Sequence, residues 1–75
     1  MNDAKFDQTV KATIVDDSGK KNGEYTVNDG SLKYLAYAEN EKTYKIDDYV
    51  RVSIPNGDWT EKKYIKGLAV KDQNT

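Results

Sequence analysis

"YVRVSIPNGDWTEKKYIKG", residues 49–67, decides the fold. Its first six residues alternate, with Val50, Val52 and Ile54 on one face and Tyr49, Arg51 and Ser53 on the other. A period of two marks a half-buried strand. Pro55, the only proline, ends that strand by removing a ladder donor, and Asn56 and Gly57 suit the turn that follows. Alternation then resumes in "KKYIKGLAV", where Tyr64, Lys66 and Leu68 alternate with Ile65, Gly67 and Ala69. A glycine inside a strand, Gly67, predicts a bulge or a sharp bend. Two strands are thus joined by a polar turn that holds the only tryptophan, Trp59. Either this ring holds a ligand or it closes the fold.

Upstream the same period recurs. "QTVKATIV" sets Val10, Ala12 and Ile14 against Thr9, Lys11 and Thr13, and "EYTV" puts Tyr25 and Val27 on one side. Between them "DDSGKKNG" reads as a loop, and "NDGS" after the second run is a strong turn signal because Asn, Asp and Gly tolerate positive φ. "LKYLAYAE" has apolar groups on both faces and a composition that also suits helix. The preceding turn and the pleat-compatible Tyr34 and Tyr37 favour a strand, with Leu32, Tyr34, Ala36 and Ala38 on one face. "YKI" predicts a further brief strand with Tyr44 and Ile46 paired by alternation, broken by Asp47 and Asp48. Residues 1–7 read as a flexible leader with Phe6 tucked against the domain, residues 8–70 as the folded domain, and residues 71–75 as a polar tail.

About five short strands, turn signals every eight to twelve residues and no convincing helix predict an all-β domain. In 75 residues a small five-stranded antiparallel barrel fits better than a two-sheet sandwich. A domain this size buries only about 60% of the surface its unfolded chain exposes, so its core is small.

Composition narrows the function. Twelve Lys and Arg face 13 Asp and Glu, a net charge of -1, with no basic excess to hold phosphates. Lys20/Lys21 and Lys62/Lys63 are balanced by Asp16, Asp17, Asp58 and Glu61, so a nucleic-acid partner is disfavoured. No histidine and no cysteine occur, which removes the usual general base, the usual nucleophile pairs and cysteine-ligated zinc. Asp16/Asp17, Asp47/Asp48 and Asp58 are carboxylate pairs or singles by type, but each stands among Asn, Gly, Ser or Lys and reads as a solvated turn former. No calcium-loop spacing or phosphate-binding glycine loop is present, so neither a metal nor a cofactor is expected. Nor does the sequence contain an apolar stretch suited to a signal or a membrane span. No enzymatic activity is expected.

The aromatics are the stronger candidates for binding. Six tyrosines and Trp59 offer flat rings that bury large area and keep a polar tip, a platform for sugars or bases. Equally, tyrosines on strands cover a small barrel and seal its ends.

The order of signals "YKIDDYVRVSIPNGDWTEKKYIKG" resembles the β-barrel domains of the oligonucleotide/oligosaccharide-binding type (OB-fold) in bacteriophage tail, baseplate and other virion structural proteins. The matching positions are Tyr44, Lys45, Asp48, Val50, Val52, Ile54, Pro55, Asn56, Gly57 and Asp58, then Lys63, Ile65 and Gly67. "GEYTVNDGSLKYLAYAEN" is similar to the preceding hairpin of those domains, so the likeness runs over residues 23–67. One departure is Asp47, where the pattern carries glycine. The resemblance implies an OB-like barrel, a place in the virion, and a rigid protein-docking role toward other virion proteins or neighbouring domains, with Trp59 capping the barrel. Docking would use the outer face of residues 49–53, since Tyr49 and Arg51 are favoured interface anchors. A barrel with exposed edges also invites a partner chain, including a second copy, to cover them. The rival expectation is a carbohydrate-binding module that recognises cell-surface glycans through Trp59, Tyr37 and Tyr49.

Overall fold

The computed structural model describes residues 6–70. Five strands form, β1 (Gln8–Asp16), β2 (Glu24–Asn28), β3 (Lys33–Ala38), β4 (Tyr49–Ile54) and β5 (Tyr64–Leu68), with 3-10 turns at Lys20–Asn22 and Pro55–Gly57. Among the described residues no α-helix occurs. The strands join in one sheet in the order β1-β2-β3-β5-β4, and β4 pairs back to β1 to close the circuit. All the pairings are antiparallel except β3 with β5, which is parallel. The expected wholly antiparallel sheet is therefore corrected to a mixed one. In a closed ring with an odd number of strands, direction cannot alternate at every step, so one pair has to run parallel.

The alternation read in the sequence places the core. Ala12, Ile14, Tyr25, Val27, Val50, Val52, Ile54 and Ile65 are buried, and each comes from the apolar face of its strand. Full burial of a Val or Ile side chain contributes roughly 1.5–3 kcal/mol, so these few residues carry most of the hydrophobic stabilisation. Ser53 departs from expectation: it shares the outward face with Tyr49 and Arg51, yet it is only 5% exposed. Its register partners are Thr9 on β1 and Tyr64 on β5.

The "YKI" strand does not form. Tyr44 is buried and Ile46 is 45% exposed, but the segment is a turn. Asp48 Oδ2 accepts from the Lys45 N–H at 2.9 Å, and the Asp48 N–H donates to the Lys45 carbonyl at 3.0 Å. Asp47 takes φ 81, in the left-handed region that favours glycine. Here an aspartate carries that strain. The turn docks on β1, with Ile14 N–H donating to Asp48 O and Asp47 N–H to Ile14 O, each at 2.8 Å.

Gly67 lies at the expected irregularity. Arg51 pairs with Gly67 and Val52 with Ile65, so Lys66 is the extra residue of a bulge. Phe6 is not tucked in; its side chain is 77% exposed. What ties the chain down there is Asp7, whose Oδ1 accepts from the Asn56 N–H at 3.0 Å. The remaining leader positions and the polar tail, residues 1–5 and 71–75, lie outside the described residues.

Candidate functional site

The loop between β4 and β5 folds against the start of β3. The Trp59 ring meets the Tyr34 ring edge-on at 5.2 Å between centroids and 89° between planes. Lys63 locks this arrangement: its Nζ donates to the carbonyls of Trp59 at 2.7 Å and Glu61 at 3.2 Å, and it lies 5.5 Å from the Trp59 ring and 5.7 Å from the Tyr34 ring. Trp59 stays 37% exposed. Next along the outer face of β3, the Lys62 ammonium sits 4.6 Å above the half-buried Tyr37 ring. Each such contact contributes about 0.5–1 kcal/mol at an exposed site. Trp59, Tyr34 and Lys63 thus form one cluster at the start of β3, and Lys62 with Tyr37 a separate contact further along the strand.

Asp29 braces the Tyr34 cluster. Its Oδ1 accepts from the N–H groups of Ser31 and Leu32 at 2.8 and 2.9 Å, and its Oδ2 from the Tyr34 hydroxyl at 3.2 Å. The Leu32 and Ser31 amides hold the Asp29 carboxyl below its usual range, and the Tyr34 hydrogen bond adds to them. Burial pushes the Tyr34 phenol well above its ordinary value, and the Asp29 charge raises it further.

The four candidate residues fall in two groups. Trp59 packs on Tyr34 at the start of β3, and Tyr37 lies further along that strand under Lys62. Tyr49 and Arg51 lie on β4, with β5 between them and β3. Tyr49 borders a shallow hollow of about 390 Å³ with Lys11, Thr13, Val15 and Asn28 to Gly30. Arg51 reaches across the bulge, its Nη1 donating to the Leu68 carbonyl at 3.2 Å, so part of its fork is already used. With Ser53 covered, the outer face of β4 presents only Tyr49 and Arg51.

Sequence reasoning counted Tyr34 only as one of six tyrosines and treated Lys62 and Lys63 only as balanced charge. Tyr34 has the inward parity of β3, and only its place at the strand's end brings it under Trp59. The available signal was "WTEKKY", two lysines directly after the tryptophan.

A second feature lies under the loop between β3 and β4. A cleft of about 370 Å³ is lined by Lys42, Thr43, Tyr44, Asp48 and Leu68. The Tyr44 hydroxyl is buried without a hydrogen-bond partner, and burial raises its phenol above the ordinary value. Among the described residues no three His, Cys, Asp or Glu side chains gather as metal ligands, and no helix is long and apolar enough to cross a membrane.

No protein-family model matches the chain, and no curated protein matches it.

Proposed function

We propose that this chain is a non-enzymatic interaction domain of the OB type that works as a rigid docking module in the tail or baseplate of a phage particle. The observation that carries the docking role is the part-exposed Trp59 ring locked against Tyr34 by Lys63, with Tyr37 under Lys62 further along the same strand. Aromatic anchors on a pre-ordered surface lose little side-chain freedom on binding, and tyrosine and tryptophan are the commonest residues at binding hot spots. The closed five-strand circuit supports the OB reading, and the resemblance over residues 23–67 supports the virion setting.

Recognition of a glycan through Trp59 and Tyr37 is the alternative, favoured by the partial exposure of the tryptophan ring beside the same strand as Tyr37. Binding assays against purified tail and baseplate proteins and against a glycan array separate the two. Docking predicts a protein partner whose affinity falls about tenfold or more in Trp59→Ala or Tyr37→Ala. A glycan ligand lost in Trp59→Ala with an unchanged melting temperature replaces docking with the carbohydrate reading. Turnover of a glycan or peptide at a meaningful rate removes both.

A further inference from the structure

Three of the five glycines follow Asn or Asp, at Asn22–Gly23, Asp29–Gly30 and Asn56–Gly57. A glycine has no Cβ to crowd its nitrogen, which can therefore reach the side-chain carbonyl carbon of the residue before it and close a succinimide ring. What the fold holds still decides where this happens. At Asn22 the Gly23 N–H donates to the Lys20 carbonyl at 3.0 Å and the Asn22 N–H to the Gly19 carbonyl at 2.9 Å, so the reacting peptide is tied into its 3-10 turn on both sides. At Asp29 the Gly30 N–H donates to Asn28 Oδ1 at 2.8 Å. The Asp29 carboxyl accepts from Ser31, Leu32 and Tyr34, which keep it charged and unreactive toward a nitrogen nucleophile. Asn56 differs. The bonds of its turn run from the Asn56 N–H to Asp7 Oδ1 and from the Asp58 N–H to the Pro55 carbonyl, each at 3.0 Å, and neither engages the Gly57 nitrogen. Asn56 is also exposed, and its φ of 58 lies in the left-handed region that disfavours a residue with a Cβ, so rotating this peptide releases strain.

We propose that Asn56 is a site of spontaneous deamidation in the folded chain, with the Gly57 backbone nitrogen as nucleophile and water as the only co-reactant. The Gly57 nitrogen bonds to Asn56 Cγ, the bond from Cγ to the amide nitrogen breaks, and that nitrogen leaves as ammonia, taking up the proton that Gly57 loses. Water then opens the succinimide at one of its two carbonyls. Opening at Cγ gives aspartate on an unaltered main chain. Opening at the former backbone carbonyl gives isoaspartate, with the main chain rerouted through Cγ. Both products place a new carboxylate next to the bond with Asp7 and just before Asp58, where like charges repel. The iso form also inserts a methylene into the turn that leads from β4 to Trp59, so the tie between Asp7 and residue 56 is lost.

The test incubates the full chain in mildly alkaline buffer, once folded and once in urea, and follows each asparagine by peptide mapping with isoaspartate-specific methylation. In urea both Asn-Gly steps are free of the fold and convert at similar rates, which removes the contribution of the dipeptide itself. Folding is expected to slow Asn22 by about tenfold or more and Asn56 far less, because only the first has its glycine N–H bonded in the turn. Asn56→Gln, whose longer side chain closes a ring only slowly, is expected to lose the early release of ammonia. Equal slowing of the two steps by folding overturns the proposal, and so does faster conversion at Asn22 in the folded chain. A folded chain that keeps Asn56 intact while the urea-treated chain converts it overturns the proposal as well, by showing that the turn protects this peptide.

Discussion

The backbone N–H of Tyr44 donates to the hydroxyl of Tyr25 at 3.1 Å, and the two rings meet edge to face with centroids 5.7 Å apart. Residues 19 apart in sequence are thereby joined inside the core. The bond explains why Tyr44 turns inward while its neighbours stay exposed, without the segment pairing as a strand. The ring of Tyr25 fills the barrel, and its hydroxyl satisfies a backbone donor that would otherwise be buried unpaired.

Tyr25→Phe keeps the ring and removes that acceptor. Leaving a buried N–H unsatisfied costs about 1–3 kcal/mol, and urea unfolding is expected to show a loss in this range. Tyr44→Phe removes a hydroxyl that has no partner and is expected to be neutral or mildly stabilising. Equal losses from the two substitutions would disprove this assignment of roles.

Trp59 is expected to emit between the wavelengths of a sealed and a free indole, with moderate acrylamide quenching, because its ring is part-covered by Tyr34. Tyr34→Ala strips that cover, so emission moves to the red and quenching rises. A Trp59 spectrum unchanged by Tyr34→Ala would show that the edge-on contact does not hold the ring in solution.

Stability should fall at both ends of the pH range through Tyr34 and Asp29. The Tyr34 phenol is raised by burial and by Asp29 above its ordinary 10.0, so its contribution is complete below about pH 10 and is lost as pH climbs toward the folded value. The Asp29 carboxyl is lowered by the Leu32 and Ser31 amides from its ordinary 3.8, so its contribution is present above that pH and fades as acid is added. Thermal melts of Tyr34→Phe should lose part of the alkaline decline, the buried Tyr44 phenol keeping a share, and those of Asp29→Asn part of the acid one.

Gly67→Ala is expected to cost about 1 kcal/mol in chemical denaturation, chiefly from the backbone, since Gly67 has φ 157. The added Cβ would also meet Arg51 Nη2 at 3.0 Å, but that is the far end of a flexible side chain and can move aside. The loss should therefore persist in an Arg51→Ala background. A loss that vanishes there would place the cost in the contact.

The period of two along β1, β2 and β4, the "NDGS" turn, the stop at Pro55 and the bulge at Gly67 were all legible, because each depends on residues adjacent in the chain. The same logic failed at "YKI", where alternation of Tyr44 and Ile46 over three residues was outweighed by the Asp48 turn and the Tyr25 hydroxyl. Ser53 was misread because parity gives a side chain's face but not what lies beside that face. Of the candidate residues, Trp59 packs on Tyr34 of β3 and Tyr37 lies further along that strand under Lys62, while Tyr49 and Arg51 stand apart on β4.

The sequence by itself determined an all-β chain, its strand faces and most of its turns, since side-chain alternation and turn chemistry act over a few residues. Only the tertiary structure decided that the ring closes through a parallel β3–β5 pair and that Lys63 holds Trp59 against Tyr34. These features depend on strands distant in the chain meeting at one register, which no local pattern encodes.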